Sequence, residues 1–434
     1  MFWLKEARDM DFQSTPYTLR CVECGKTFVE DDHLLSCDEP HGPALLRADY
    51  AARQLSVRDD GDGMFRFGDW LPLRRPLKTS GVPVSFRGEK VGRALGLDDL
   101  WIAFSGYWPE RGADMKTCTF KELEAPPVCS RFDDTARTLV VASAGNTARA
   151  FAEVCSANDI PLVLVVHEAG LDSLWSTRPF SDSVVLVGVD DGADYFDAIQ
   201  VADMIAKRPG YAAEGGAKNV ARRDGMGTVL LSAAVMSGRI PDHYFQAVGS
   251  GTGGIAVWEA AGRLRADGRF GGAKMKLHLA QNHPFTPMTD AWRAGSRALL
   301  EVPEAELKSR LSRVSAHVLS NRKPPYGIRG GVFDALSDTG GSMSSVTNEQ
   351  AAEAASLFER LEGIDLDPAA AVAAAALIEA ADRHLISPGE MVLLNITGGG
   401  KKRLFKEFRV HRLIPRFVLK RREATEEAIR RLFG

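Results

Sequence analysis

A glycine-rich run near the middle of the chain constrains the fold more than any other stretch. The run Gly249-Ser250-Gly251-Thr252-Gly253-Gly254 follows an apolar segment over 244–248 and precedes a segment of helical spacing over 255–264. A glycine turn between a strand and a helix exposes backbone N–H groups at the helix N-terminus, where they can bind a phosphate dianion. The run therefore predicts a phosphate site. Its spacing departs from the G-x-G-x-x-G register of dinucleotide-binding loops, and a purely structural tight turn stays the alternative.

Continuous apolar runs recur on both sides of this loop. They include 138–142, 161–166, 183–189 and 391–396, and stretches of helical spacing separate them. Such runs are typical of strands that are buried on both faces of a parallel sheet. Their alternation with helices predicts the α/β fold class, with two open, mostly parallel α/β domains and a small N-terminal β-hairpin region that contains cysteines.

We predict a division of the chain into three parts. Residues 1–60 form the N-terminal region with the hairpin, residues 61–135 and 240–434 form the large domain, and residues 136–239 form a small α/β domain. The tail over 401–434 is basic, and we expect it to be a solvated surface helix or an oligomer contact rather than a binding patch for nucleic acid or a membrane.

Composition excludes several classes of function. The chain has 434 residues, a formal net charge of −3 and a hydrophobic fraction of 45%, with no apolar stretch as long as a membrane helix. We therefore expect no nucleic-acid partner and no membrane partner. Six cysteines in so long a chain do not make a disulfide framework, and residues 1–9 do not have the pattern of a signal peptide. We expect a cytoplasmic protein.

A cluster of potential metal ligands lies near the start of the chain. Cys21, Cys24, Cys37 and His41 have the spacing C-x2-C-x12-C-x3-H, which matches a small zinc ribbon. Because only one complete C-x-x-C pair is present, we favour a hairpin that folds without metal, and the sequence leaves zinc open. Four protein ligands would in any case close the site and make it structural. We expect no metal in the active site.

Two lysines are candidates for a reactive amine. Lys121 lies beside Phe120 at a predicted junction of loop and helix, and Lys116 lies five residues earlier. A lysine that is partly buried among apolar groups has a lowered pKa and becomes nucleophilic. An exposed lysine at the start of a helix is the ordinary alternative for each of them.

Two further loops lie at the carboxyl ends of predicted strands. The loop Ser143-Ala144-Gly145-Asn146-Thr147 follows the run 138–142 and opens a helix, so its N–H groups and hydroxyls suit a carboxylate. A helix cap without a ligand is the alternative. The loop Thr397-Gly398-Gly399-Gly400 follows the last strand and offers a lone hydroxyl.

One cofactor requires all four of these loops. Ligands of open α/β sheets bind outside the carboxyl ends of the strands. Lys121 supplies an amine, the loop at 143–147 a carboxylate site, the glycine run a phosphate cradle and Thr397 a hydroxyl. Pyridoxal 5'-phosphate has an aldehyde, a phosphate, a ring oxygen and a pyridine nitrogen, and it acts on amino acids, which carry a carboxylate.

These motifs, in this order, resemble those of the pyridoxal-phosphate enzymes of the tryptophan-synthase β-subunit fold, in the threonine synthase branch. The match comprises Thr119-Phe120-Lys121-Glu122, the loop at 143–147, the glycine run at 249–253 and Ile396-Thr397-Gly398. The resemblance covers about residues 18–400. It departs from threonine synthase at Glu122, where that family usually has Asp, and at Asp367, where it often has Glu.

The resemblance implies roles for individual residues. Lys121 would carry the cofactor and act as the catalytic base. The remaining residues that it implies for binding the cofactor are Asn146, Gly249, Ser250, Gly251, Thr252, Gly253 and Thr397. Ser143 and Thr147 would hold the substrate carboxylate, and the cations Lys116 and Arg329 are candidates for the substrate phosphate.

Two stretches narrow the implied reaction. Pro324-Pro325-Tyr326-Gly327-Ile328-Arg329-Gly330-Gly331 and 335–341 are similar to those of enzymes that convert O-phospho-L-serine and sulfite to L-cysteate and phosphate through an aminoacrylate. The resemblance also implies a homo-oligomer, a dimer or larger. Two alternatives keep the cofactor: a threonine synthase that acts on O-phosphohomoserine, and an enzyme that replaces the phosphate of O-phosphoserine by a nucleophile other than sulfite. Two others belong to different classes: a nicotinamide-dependent oxidoreductase and a binding protein without catalysis.

Overall fold

The computed structural model describes residues 13–30, 33–58, 63–78, 81–132, 136–143 and 145–434. Residues 1–9, on which the expectation about a signal peptide depends, lie outside this set. The strands are β1 (Tyr17–Cys21), β2 (Thr27–Phe28), β3 (Leu46–Tyr50), β4 (Val84–Arg87), β5 (Asp99–Phe104), β6 (Tyr107–Trp108), β7 (Ala113–Asp114), β8 (Thr138–Ser143), β9 (Leu162–His167), β10 (Trp175–Ser176), β11 (Val184–Asp190), β12 (Tyr211–Ala213), β13 (His243–Ala247), β14 (Lys276–Asn282), β15 (Ser342–Val346), β16 (Met391–Ile396), β17 (His411–Arg412) and β18 (Phe417–Lys420).

Helices connect most of these strands. They are α1 (Glu89–Leu95), α2 (Ala125–Arg131), α3 (Asn146–Ala157), α4 (Tyr195–Ala206), α5 (Val220–Ser237), α6 (Thr252–Asp267), α7 (Pro287–Arg293), α8 (Glu304–Leu311), α9 (Val332–Thr339), α10 (Asn348–Glu362), α11 (Pro368–Asp382), α12 (Lys401–Glu407) and α13 (Glu426–Phe433). None of the helices in the described ranges combines the length and the apolar character that crossing a bilayer requires.

The larger sheet has six strands in the order β15-β14-β13-β16-β5-β4. All neighbours are parallel except β4, which runs antiparallel to β5. Alternate residues of β16 enter different cores: Met391 and Leu393 pack on one face, and Val392 and Leu394 pack on the other. Because helices cover both faces, the strand reads as an uninterrupted apolar run. The predicted α/β class is confirmed.

The smaller sheet has five parallel strands in the order β12-β8-β9-β11-β18. Its last strand corrects the predicted division of the chain, which grouped residues 240–434 with the large domain. Strand β18 pairs with β11 instead, and the buried Leu419 packs in the same core as Val187 and Val189. The tail is therefore a sheet edge followed by helix α13, not only a solvated surface helix.

Helix α5 also departs from the predicted domain division, because it packs with the larger sheet. The prediction placed it in the small domain, but Val229 and Leu230 are buried in the core that also contains Leu277 and Leu393 of the larger sheet. All of the first fifteen residues of α5 are buried, so this part of the helix has no solvated face that would have marked its position in the sequence.

The N-terminal region is a small antiparallel sheet with the strand order β2-β1-β3. Tyr17 of β1 is opposite Tyr50 of β3, and Cys21 is opposite Leu46. A buried ion pair between Glu30 and Arg131 of α2 attaches this region to the rest of the chain. The predicted small hairpin region is thus present as a three-stranded sheet.

Candidate active site

The four predicted loops meet at one cavity of about 280 Å³. Lys121, Asn146, the glycine run and Thr397 all line it. Three of these loops directly follow strands: β8 of the smaller sheet, and β13 and β16 of the larger sheet. The cavity therefore lies at the carboxyl ends of strands from both sheets.

Lys121 lies in a short 3-10 turn, Phe120–Leu123, ahead of helix α2. The Thr119 hydroxyl accepts from the backbone N–H of Lys121 at 3.4 Å, and the N–H of Phe120 donates to the carbonyl of Thr397 at 3.0 Å. This second bond ties the lysine turn to the last loop of the site. Burial lowers the pKa of the Lys121 amine below its ordinary value, although Glu124 opposes the shift.

A buried chain of charges begins at Lys121. Its Nζ lies 3.4 Å from Oε2 of Glu124, and Nη1 of Arg222 lies 3.4 Å from Oε1 of the same carboxylate. Arg222 also forms a bidentate pair with Glu214, with bonds of 2.8 and 2.6 Å. Two carboxylates thus face two cations, and Arg222 is neutralised within the protein.

The glycine run forms the turn from β13 into α6. Gly251 has φ +80°, and a Cβ there would lie 2.2 Å from Cγ2 of Val332. A Cβ at Gly253 would lie 2.4 Å from the amide of Gln246. The first intrahelical bond runs from Ile255 N–H to the carbonyl of Gly251, so the N–H groups before it have no intrahelical partner. The run places backbone N–H groups and the hydroxyls of Ser250 and Thr252 beside a sixteen-residue helix, and the Ser250 hydroxyl accepts from the N–H of Thr252 at 3.3 Å.

The loop after β8 is stabilised by its own serine. The Ser143 hydroxyl oxygen accepts from the N–H groups of Gly145 and Ala148, both at 2.9 Å. Gly145 has φ +139°, and a Cβ there would lie 2.2 Å from Oγ of Ser173. Asn146 and Thr147 follow at the start of α3 and line the cavity. Ala144 lies outside the described residues.

Thr397 follows directly after β16 and is 9% exposed. The chain then turns through three glycines. Gly400 has φ +76°, and a Cβ there would lie 2.1 Å from the carbonyl oxygen of Tyr107. The N–H of Asp367 donates to the carbonyl of Gly398 at 3.0 Å, which fixes the loop that carries the Thr397 hydroxyl.

The structure does not bring the two predicted phosphate cations to this cavity. Lys116 pairs with Asp114 and packs over the rings of Tyr107 and Phe408, where it lines a different depression. It is close to Lys121 in sequence, but its ammonium is held by these neighbours. The Arg329 side chain is 54% exposed and pairs with Glu23 at 3.1 Å. Neither side chain lines the cavity in this structure.

Two cations that the sequence analysis missed line the cavity instead. Arg222 is the neutralised member of the buried charge chain, whereas Lys218 is exposed and has no ion pair with any carboxylate in the described ranges. A signal for Lys218 existed in the sequence: the run Gly215-Gly216-Ala217-Lys218-Asn219 also lies between a strand and a helix.

Comparison with known proteins agrees with this site. Residues 113–398 match the family model described as pyridoxal-phosphate dependent enzyme. The match covers the lysine turn, the glycine run and Thr397, and the cavity supplies an amine of lowered pKa and a glycine turn in which a Cβ at Gly251 or Gly253 would clash with neighbouring side chains. The chain therefore belongs to the pyridoxal-phosphate dependent enzymes, and its cofactor is pyridoxal 5'-phosphate.

Within that family, the chain is similar to proteins named cysteate synthase. It is 52% identical to that of Methanocorpusculum labreanum, with 90% of this chain and 94% of that protein covered. It is 53% identical to that of Methanocella paludicola, with 90% and 91% covered. It is 49% identical to that of Methanosarcina barkeri, with 92% and 95% covered.

Solved structures share the fold. Maize serine racemase matches with a TM-score of 0.56 at 14% identity, covering 75% of this chain and 93% of that chain. The processed threonine deaminase isoform 2 of Solanum lycopersicum matches with a TM-score of 0.55 at 16% identity, covering 82% and 94%. These likenesses confirm the predicted pyridoxal-phosphate fold.

Proposed function

We propose that this enzyme replaces the phosphate of O-phospho-L-serine by sulfite and so forms L-cysteate. The observation that carries the proposal is the identity of about half of all residues to proteins named cysteate synthase, over about nine-tenths of this chain. The cavity supports it, because it combines the lysine, the glycine run and an exposed cation, Lys218.

Lys121 is the proposed acid and base of the reaction. When bound, the cofactor supplies an aldehyde for Lys121 and a ring that accepts the electrons left at Cα after proton removal. The Lys121 amine takes the α-proton, phosphate leaves from Cβ with the electrons of the C–O bond, sulfite forms a C–S bond at Cβ, and Lys121 returns a proton to Cα. Glu124, 3.4 Å from Nζ, holds the ammonium between the two transfers.

Ser143 and Thr147 are proposed to bind the substrate carboxylate. The Ser143 oxygen already accepts two backbone N–H bonds, so its own proton is free to be donated. Thr147 lies in the first turn of α3, where the helix dipole favours a negative charge. The carboxylate would thereby be held at the rim of the small sheet.

Lys218 is proposed as the cation for the leaving phosphate and the incoming sulfite. Both are oxyanions, and an exposed lysine can bind either as a point charge. Its charge also acts on the Asp203 carboxylate, where it opposes the rise in pKa that burial causes. Arg222 is less suited to this role because Glu214 and Glu124 already satisfy its charge. We therefore propose Lys218 as the phosphate-binding cation, in place of the two candidates predicted from the sequence, Lys116 and Arg329.

Thr397 is proposed to face the pyridine nitrogen, and Asn146 the ring hydroxyl. A neutral hydroxyl leaves the ring nitrogen unprotonated, which shortens the life of a carbanion and favours loss of the group at Cβ. This preference fits replacement at Cβ rather than racemisation at Cα.

The experiment is to follow the absorption of the purified holoenzyme while O-phospho-L-serine and then sulfite are added. We expect a spectral change with the first, its reversal with the second, and equal amounts of cysteate and phosphate. A response to O-phosphohomoserine alone, with threonine as product, would instead make the enzyme a threonine synthase. If sulfide or an amine reverses the spectral change faster than sulfite does, that compound is the nucleophile instead of sulfite.

The chain acts on small molecules, and we further propose that it does so as a cytoplasmic homo-oligomer. None of the six cysteines forms a disulfide, which suits a reducing compartment. Ile414 and Val418 in the tail are 79% and 59% exposed, and such apolar side chains suit a subunit contact. Light scattering of the purified protein tests the assembly, and a monomer would contradict it.

A further inference from the structure

The predicted metal-ligand candidates at the start of the chain converge in the structure. Cys21, Cys24, Cys37 and His41 each offer one donor atom, and these four atoms all lie within 4.8 Å of one another. The residues come from the end of β1, the turn after it and the segment before β3, so the small N-terminal sheet assembles them.

Two measured separations match the edges of a zinc tetrahedron. Zn–S bonds of about 2.3 Å and Zn–N bonds of about 2.0–2.1 Å put two sulfurs about 3.8 Å apart, and a sulfur and a nitrogen about 3.5 Å apart. Sγ of Cys24 and Sγ of Cys37 are 3.7 Å apart. Sγ of Cys21 and Nε2 of His41 are 3.4 Å apart. A disulfide would require about 2.05 Å, so this sulfur pair is not one.

The histidine is oriented to present the correct nitrogen. Nδ1 of His41 lies 2.7 Å from the carbonyl oxygen of Gly42. A carbonyl only accepts, so Nδ1 carries the proton and Nε2 keeps its lone pair, directed toward Cys21. Metal-bound histidines are oriented by such a bond from the other ring nitrogen.

The backbone around the cysteines has the turn that thiolate ligands need. Gly25 has φ +75°, and its N–H donates to the carbonyl of Cys21 at 3.0 Å. The N–H of Cys21 donates to the carbonyl of Lys26 at 2.9 Å, which closes the turn. The N–H of Glu39 lies 3.5 Å from Sγ of Cys37, where it stabilises a thiolate.

We propose that Cys21, Cys24, Cys37 and His41 bind one Zn²⁺ in a closed, structural site. This replaces the expectation of a metal-free hairpin, which depended on counting C-x-x-C pairs along the chain. In the folded protein, the third thiolate and the imidazole complete the donor set. With four protein ligands no position remains for substrate, so the zinc is not catalytic.

The site also secures one wall of the active-site cavity. Two residues after the last ligand, Pro43 accepts from the N–H of Arg329 at 3.2 Å, and the N–H of Leu45 donates to the carbonyl of Arg329 at 3.0 Å. Pro325 and Ile328, in the same loop as Arg329, line the cavity. Zinc therefore fixes the backbone against which this loop is held.

The test is metal analysis of the full-length, cofactor-loaded enzyme. We expect about one zinc per chain, and a large loss of zinc in Cys24→Ser and Cys37→Ser. Cys24 is exposed, so its substitution leaves the cores intact. Asp38→Asn is the matched control, because this carboxylate neighbours a ligand but pairs with Lys26 and should leave the zinc content unchanged.

A second measurement covers the case in which the cysteine variants do not fold. Cobalt exchanged into the wild-type protein should give the intense visible absorption of a tetrahedral site with thiolate ligands. The proposal is overturned if the wild-type protein contains no zinc, takes up none, and shows all its accessible thiols free to react. It is overturned equally if iron occupies the site, or if Cys24→Ser retains a full equivalent of zinc.

Discussion

Arg149 donates from Nη2 to the Oδ1 atom of Asn146 at 3.0 Å. The guanidinium is buried and also donates to the carbonyls of Thr117 and Ser173, at 2.9 and 2.8 Å. This bond uses one acceptor position of the Asn146 oxygen and leaves the NH₂ group available as a donor toward the cavity. We therefore expect Arg149 to orient the amide so that its NH₂ group can donate to a ring oxygen of the cofactor.

The substitution Asn146→Asp tests this orientation. The carboxylate keeps the bond from Arg149 but removes the donor, so we expect activity to fall by about 5–13-fold, since a lost hydrogen bond costs roughly 1–1.5 kcal/mol. The absorption band of the bound cofactor should shift, while the melting temperature should stay within a few degrees. An unchanged band together with unchanged activity would remove Asn146 from the cofactor site.

Lys218→Gln tests the assignment of the oxyanion cation. Loss of a charged hydrogen bond costs about 1.5–3 kcal/mol, so we expect kcat/KM for O-phospho-L-serine to fall by about 10–100-fold. Arg329→Gln is the control, because that side chain is exposed and pairs with Glu23. Steady-state kinetics of both variants show whether Lys218 or Arg329 binds the substrate phosphate. If kcat/KM falls only in Arg329→Gln, Arg329 binds the substrate phosphate, as predicted from the sequence, and Lys218 does not.

Gly251→Ala tests the phosphate cradle. The positive φ and the close approach to Val332 should cost about 1–3 kcal/mol of the free energy of unfolding and weaken cofactor binding. Gly262→Ala inside helix α6, whose N-cap is Gly251, is the control. Among the described residues nothing lies within 4 Å of the added methyl, so it should stabilise the protein by about 0.5–1 kcal/mol. Denaturant titrations and cofactor affinities measure both effects. Equal behaviour of the two variants would exclude a constrained cradle.

The lowered pKa of Lys121 predicts how cofactor uptake depends on pH. Only the neutral amine attacks an aldehyde, so the rate of reconstitution of the cofactor-free enzyme should rise with pH and reach its half-maximum below 10.5, the ordinary lysine pKa. In Glu124→Gln the midpoint should move further down, because the carboxylate that favours the ammonium is gone. Stopped-flow absorbance measures both profiles, and a midpoint at or above the ordinary value contradicts the burial argument.

The active-site loops were predictable because their signals are local. A glycine run after an apolar strand, or a lysine beside Phe120, can be recognised within about ten residues. Lys218 carried a similar signal in the run 215–219, but no neighbouring apolar strand made it prominent, since β12 has only three residues.

The features that the sequence did not predict depend on distant pairing. Strand β18 joins β11 across more than two hundred residues, and its four residues among basic neighbours resemble a solvated segment. The positions of Lys116 and Arg329 depend on Asp114 and Glu23, which residue type alone does not pair with them. The zinc ligands lie between these cases, because their spacing was visible and only folding shows that all four donors converge.

The position of β18 at the edge of the smaller sheet has a consequence for how the enzyme is made. A ribosome delivers the strands β8, β9 and β11 early, but their sheet lacks its edge until residues 417–420 emerge. Thr397 is also late, so neither the cavity nor the smaller sheet is complete before nearly the whole chain has been synthesised. A complete cofactor site can therefore form only after Thr397 has been synthesised, late in translation.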